Sequence, residues 1–184
     1  HDERLDRRVA IKLIKPELFA FPEMRTFFDN EARAMARVSH PNVVHVYAFG
    51  EHGAVPYFVM EYVEGRSVEH WLRSRPADTA PDLDEAVRIL DQTCLGVEAI
   101  HASQTVHRDI KPSNLLLEDS GRVRVGDLGV ARILESAESA NVVVGSALYM
   151  APEAALAEEE APDLADRRDI YALGCLAYEL FTGR

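Results

Sequence analysis

Short β-branched runs fill the first part of the chain, and longer stretches with apolar residues three and four apart fill the rest, with the change of regime at residues 61–65. Residues 8–14 are apolar and β-branched and close on Lys15-Pro16, which predicts a strand and then a turn. Residues 22–38 carry Phe28, Ala32, Met35 and Val38 at helical spacing, and His40-Pro41-Asn42 stops that helix. Two further strands are predicted over 43–49 and 56–62, joined across 50–53. Helices follow: a short one over 67–73, a longer one over 81–101 and a last one over 168–182. In the long helix, Leu83, Val87, Leu90, Cys94 and Val97 form the expected apolar face, and Asp82 with Glu85 reads as an N-cap and capping box. Between the last two helices lie strand-like pieces at 114–117 and 122–125, joined through Asp119-Ser120-Gly121. Residues 127–152 show little regular pattern, as a functional loop does. No internal repeat or low-complexity tract is present. The order predicts an α+β fold with a small β-rich lobe over 1–63 and a larger helical lobe over 64–184.

Composition narrows the function. With 47% hydrophobic and 28% charged residues in 184, the sequence is that of a globular protein with a real core. Thirty-one acidic against 20 basic residues give a net charge of -11, which repels phosphate backbones and argues against nucleic acid as a partner. A polyphosphate site would be a local exception built from a few cations and a metal ion. Cys94 and Cys175 form no disulfide framework and no metal spacing, and are expected to be buried free thiols of a reducing compartment. The longest apolar run, residues 170–181, is broken by Glu179 and too short to span a bilayer, so it reads as a buried core helix. No signal-peptide pattern opens the sequence, and a cytoplasmic location is expected.

The chemistry concentrates in His107-Arg108-Asp109-Ile110-Lys111-Pro112-Ser113-Asn114. It sets an Asp, a Lys and an Asn close together between apolar runs. Phosphoryl transfer from a nucleotide needs these groups: one to orient and deprotonate a hydroxyl, a cation for the moving phosphate and an oxygen for a metal. Asp109, Lys111 and Asn114 are the candidates, in that order, and Asp127 in Asp127-Leu128-Gly129 is a second magnesium ligand beside Asn114. Upstream, Val9-Ala10-Ile11-Lys12 ends a strand-like run in a lysine. Glu31, on the predicted helix, would hold the Lys12 ammonium against the phosphates of ATP. Singly, each residue has a plainer reading. A lysine closing a strand is usually just solvated, and His107 with Asp109 lacks a further histidine at metal-site spacing. The combination is what is specific.

Together these motifs resemble the eukaryotic-like serine/threonine protein kinases of bacteria. The likeness extends to Gly145-Ser146-Ala147-Leu148-Tyr149-Met150-Ala151-Pro152-Glu153, similar to the family's substrate-binding segment. Asp169-Ile170-Tyr171-Ala172-Leu173-Gly174 resembles the start of the helix whose aspartate anchors the catalytic-loop backbone, and Met60-Glu61-Tyr62-Val63 resembles the linker between lobes. The resemblance implies a protein-kinase-like two-lobe fold, ATP and Mg2+ as cofactors, and a protein substrate with a serine or threonine acceptor. It implies that Met60 guards the back of the adenine pocket and that the Glu61 carbonyl and Val63 N–H bond the adenine. Ala10 and Leu116 would sandwich the ring. Lys111 and Ser146 match serine/threonine rather than tyrosine specificity. A pseudokinase-like binding module is the alternative, opposed by the presence of Lys12, Asp109 and Asp127. A small-molecule phosphotransferase should lack the Ala-Pro-Glu segment.

Some features depart from the family. No Gly-x-Gly-x-x-Gly precedes Lys12, and the sequence matches only part of the family's domain, so a fold truncated at both ends is expected. Weakened nucleotide binding, exposed apolar area on 168–182 and a Glu153 without its usual arginine are expected with it. Leu128 stands where phenylalanine is commoner and should pack beneath Met35. Residues 129–151 hold no threonine, only Ser136, Ser139, Ser146 and Tyr149 as hydroxyls. Arg108 implies regulation by a phosphate on this segment, with Ser139 as acceptor or Glu135 or Glu138 as substitute.

Overall fold

The computed structural model describes residues 1–13, 32–33, 35–53, 55–75, 82–127, 148–156 and 165–183. The first sheet holds β1 (Val9–Leu13), β2 (Val46–His52) and β3 (Val55–Glu61) in the order β1-β3-β2, all antiparallel. Register sets Ala10 against Met60, Lys12 against Phe58 and Val9 against Glu61. A bulge between Val46 and Ala48 bends β2. β2 runs to His52, past the predicted turn, because the reversal needs little more than Gly53, whose φ of 64° suits a tight hairpin. Val43, predicted to open this strand, instead forms a parallel bridge to Val125.

The second sheet is β4 (Gly65–Ser67), β5 (Leu115–Glu118) and β6 (Val123–Val125), in that order and antiparallel. Strand β4 has no period to read in three polar or small residues, and the sequence did not predict it. Gly65 is required there: at φ 157° a Cβ would lie 2.2 Å from the Leu117 carbonyl oxygen.

Helix α1 (Val68–Arg73) starts from Ser67, whose hydroxyl accepts from the His70 N–H at 3.1 Å. Helix α2 (Leu83–Ala102) starts from Asp82, whose carboxylate accepts from the Glu85 N–H at 3.1 Å, as predicted for the cap. Its buried face is Ala86, Ile89, Thr93, Gly96, Val97 and Ile100. The expected face is therefore corrected, since Leu83, Val87 and Cys94 are exposed. Both ladders have helical spacing, and the small residues of the true face let β6 and residues 42–44 approach. Cys94 belongs to the outward ladder and Cys175 is half-buried, so the thiols are free but not buried as expected.

After the four-residue α3 (Pro152–Ala155), α4 (Arg167–Thr182) packs against α2. Asp169, Ala172, Leu176 and Leu180 are its buried face, and Ile170, Tyr171, Tyr178 and Phe181 are exposed. It is thus a one-sided helix and not a fully buried one, and the expected exposed apolar area is present. Of the helix predicted over 22–38, residues 32–33 and 35–37 are helical, and 22–31 and 34 lie outside the described residues. One buried cluster runs from Met35, Val46 and Phe58 through Val43 and Val125 to Ile89, Ile100, Leu176 and Leu180. Each large side chain in it contributes roughly 1.5–3 kcal/mol by leaving water. Among the described residues no helix is long and apolar enough to cross a membrane.

Candidate active site

The loop between α2 and the 3-10 turn Pro112–Asn114 is held from below by α4. Asp169, in the first turn of α4, is buried and accepts the Arg108 N–H on Oδ1 at 2.7 Å. Its Oδ2 accepts the His107 N–H at 2.7 Å and His101 Nε2 at 2.8 Å. The sequence resemblance assigned this anchoring to Asp169, and the bonds match it. Burial, the largest single effect, pushes the Asp169 carboxyl up, but the His101 bond, the nearby His107 and the two backbone N–H groups together bring it below its ordinary value.

His107 is fully buried. Its Nε2 donates to the Gly126 carbonyl at 2.9 Å, while its Nδ1 accepts from the Asp109 N–H at 3.2 Å. The pair of bonds selects the neutral Nε2–H tautomer, and burial pushes the ring's pKa down in the same sense. Arg108 (φ 66°) and Asp127 (φ 55°) both take the left-handed backbone conformation. Each costs on the order of 1 kcal/mol or more, the kind of strain that gathers at functional sites.

The result presents Asp109. Lys111 Nζ lies 2.7 Å from its Oδ2, and Asn114 Nδ2 donates to the same oxygen at 2.8 Å and to the Asp109 carbonyl at 2.7 Å. The Gly126 N–H donates to the Asn114 carbonyl at 2.9 Å, which holds the end of β6 beside the 3-10 turn and delivers Asp127. From the first sheet, Lys12 Nζ hydrogen-bonds the Asp127 carboxylate. Lys12, Asp127, Asn114, Asp109 and Lys111 are therefore one connected group, drawn from β1, the end of β6 and the loop.

The residues expected around a nucleotide base lie alongside. Met60, Met35, Val44, Val46 and Phe58 line a small cavity with Lys12, Gly126 and Asp127. Ala10 pairs with Met60, and the Leu116 Cδ1 comes within 3.9 Å of where a Gly126 Cβ would stand. Glu61 ends β3 with its N–H on the His45 carbonyl at 2.8 Å, and Val63 is half-buried in the connection to β4. Glu31, Leu128, Gly129, Ser136, Ser139 and Ser146 lie outside the described residues. Tyr149 hydrogen-bonds Glu179 of α4, and burial together with that carboxylate keeps its hydroxyl protonated.

Among the described residues no cluster of three His, Cys, Asp or Glu side chains is available to a metal ion. The donor set suits magnesium all the same. Asn114 commits its amide nitrogen to Asp109, and its amide oxygen and the Asp127 carboxylate are both donors of the hard-oxygen kind. Two hard oxygens complemented by water and phosphate are what Mg2+ accepts. The sequence reading missed His101, Asn42 and Arg124. Asn42 Nδ2 bonds the Val123 carbonyl at 2.8 Å, and Arg124 Nη2 lies 3.0 Å from Glu61 Oε1. Their partners stand 68, 81 and 63 residues away, and no local pattern announces such contacts.

The sequence matches the family model described as protein kinase domain over residues 1–184. The serine/threonine-protein kinase PknA of Mycobacterium tuberculosis is 36% identical over 190 residues, covering 100% of this chain and 42% of PknA. The serine/threonine-protein kinase PrkC of Bacillus subtilis is 38% identical over 183 residues, covering 98% of this chain and 27% of PrkC. The chain thus spans less than half the length of these relatives. The crystal structure of the M. tuberculosis PknI kinase domain shares the fold, with a TM-score of 0.79 at 24% identity over 100% of this chain and 67% of that one.

Proposed function

The chain belongs to the protein kinase domain family, and we propose that it is the catalytic core of an ATP-dependent serine/threonine protein kinase, with residues 1–63 and 64–184 as its lobes. The observation that supports this most is the linked group of Lys12, Asp127, Asn114, Asp109 and Lys111. Asp109 orients the acceptor hydroxyl and takes its proton; the Lys111 and Asn114 bonds hold its carboxylate in place. Lys111 places positive charge where the transferred phosphoryl gains negative charge. Lys12, with Glu31, holds the α- and β-phosphates, and Asn114 and Asp127 hold the metal. When bound, Mg-ATP supplies the phosphoryl group and the cation that neutralises its oxygens. Ala10 and Leu116 bracket the adenine, Met60 closes the pocket behind it, and the Glu61 carbonyl and Val63 N–H read its edge.

The acceptor is a serine or threonine hydroxyl of a protein, in keeping with the names of PknA and PrkC. The net charge of -11 argues against nucleic acid as a partner, and a cytoplasmic site of action belongs to the same proposal. The test is transfer of the labelled γ-phosphate of ATP to a generic basic protein, using the full encoded protein. Asp109→Asn should lower kcat by roughly 10²–10⁴-fold while Mg-ATP binding persists. A wild-type protein that binds Mg-ATP tightly yet transfers nothing would make it a binding module.

A further inference from the structure

We propose that Arg124 is a positioning residue that clasps the Glu61 end of β3 to the second sheet and so fixes the backbone that reads adenine. This rests on the function proposed above. Arg124 is the middle residue of β6, paired in register with Leu116, so both side chains leave the same face of the sheet. Its guanidinium divides between two strands of different sheets: Nη2 is 3.0 Å from Glu61 Oε1, and Nε is 2.8 Å from Glu118 Oε1. The other Glu61 oxygen accepts the His45 N–H at 3.4 Å.

These side chains are largely shielded, with 13% of Arg124, 25% of Glu61 and 20% of Glu118 exposed. A forked guanidinium serving two carboxylates out of bulk water is worth more than an exposed ion pair, and breaking it strands a carboxylate. The Glu118 carboxyl accordingly sits below its ordinary value: burial raises it, but the bonds from Arg124 and Ser120 outweigh that.

The clasp works beside a second attachment on the opposite edge of β6. The Val44 N–H donates to the Val125 carbonyl at 2.8 Å, and the Val125 N–H to the Asn42 carbonyl at 2.8 Å. Backbone bonds thus seat residues 42–44 on β6, and they reach residue 61 only through the neighbouring His45, whose carbonyl accepts the Glu61 N–H. Arg124 adds a direct tie from β6 to the Glu61 side chain. Its removal leaves the sheets joined and takes that tie from the segment whose carbonyl and N–H meet the base. Lysine, a point charge without a fork, can serve one carboxylate at a time.

The experiment compares the full protein with Arg124→Met, Arg124→Lys and Glu61→Gln. Arg124→Met should raise KM for ATP about tenfold, the scale of one lost charged hydrogen bond, with a smaller change in kcat. Arg124→Lys should recover part of the loss, and Glu61→Gln should weaken ATP in the same direction. Hydrogen exchange at the amides of residues 62–64 should quicken in Arg124→Met without nucleotide. An unchanged KM, with exchange at 62–64 as in the wild type, overturns the clasp while leaving the kinase reading intact. A wild type without ATP turnover overturns that reading, and the exchange measurement then decides the clasp by itself. Equal losses in Arg124→Met and Arg124→Lys, confined to thermal stability, would reduce Arg124 to a structural ion pair and overturn the proposal.

Discussion

Asp169 and the two histidines around it show how single residues set the pH behaviour of the catalytic loop. The His101 ring is raised above its ordinary pKa of 6.5, first by its bond to Asp169, against the opposing effect of burial, with the charges of Asp169 and Asp166 adding to the rise. Its contribution to stability is therefore complete below pH 6.5 and fades as pH climbs through the raised value. Asp169 works at the other end, contributing above its ordinary 3.8 and losing that contribution as pH falls through its lowered value. His107, held neutral by burial, opposes His101: below pH 6.5 the unfolded ring takes up a proton that the folded ring refuses. Replacing His101 separates the two. His101→Asn should cost about 1 kcal/mol near pH 5.5, with the penalty shrinking as pH rises beyond 6.5. Urea denaturation at three pH values measures it, and a penalty that does not vary with pH would assign the His101 bond no charge.

The same dependence on distant partners governs the elements, and α2 is the clearest case. A glycine inside a helix costs about 1 kcal/mol relative to alanine, so propensity alone predicts that Gly96→Ala stabilises the protein. The packing says the reverse. A Cβ at Gly96 would lie 2.6 Å from the Asn42 carbonyl oxygen and 2.7 Å from Val125 Cγ2. One neighbour is backbone and the other belongs to the strand that carries Arg124 and leads to Asp127, so neither yields cheaply. Gly96→Ala should therefore lose about 1–3 kcal/mol in chemical denaturation, and a gain would show that residues 42–44 are not seated on α2 and β6 as described. This glycine also marks where sequence reading stops. The 3.6-residue period and the Asp82 cap made α2 legible, yet Leu83, Val87 and Cys94 formed a second ladder as regular as the buried one. Which ladder faces inward depends on what packs against it, and that partner lies far away in the chain. The candidate site was more legible than the face of the helix, because the phosphoryl transfer proposed above would restrict the residue types at Lys12, Asp109, Lys111, Asn114 and Asp127. The supports of that site, His101, Asn42 and Arg124, obey no such restriction and became visible only through their contacts.

Over the whole molecule, two surface properties act against each other. The net charge of -11 makes copies of the chain repel one another. Against this, α4 turns Ile170, Tyr171, Tyr178 and Phe181 to solvent, next to an exposed Leu148. Tyr149, Tyr171, Cys175 and Tyr178 line an open groove there, with Glu179 its acidic residue. Apolar surface that is contiguous in this way drives association, and long-range repulsion holds it back only while it is unscreened. At 0.5 M salt the Debye length falls to about 4 Å, so charge ceases to keep copies apart while the apolar attraction persists. The 184-residue chain should therefore be most dispersed at low ionic strength and self-associate as salt is added, the opposite of an assembly held by ion pairs. Tyr178→Glu with Phe181→Glu should suppress the effect without unfolding the chain, since both side chains are exposed and Leu176 and Leu180 keep the buried face of α4. Sedimentation at 0.05 and 0.5 M salt reads this directly. Association that weakens with salt, or that survives both substitutions, would place the contact on a charged surface away from α4.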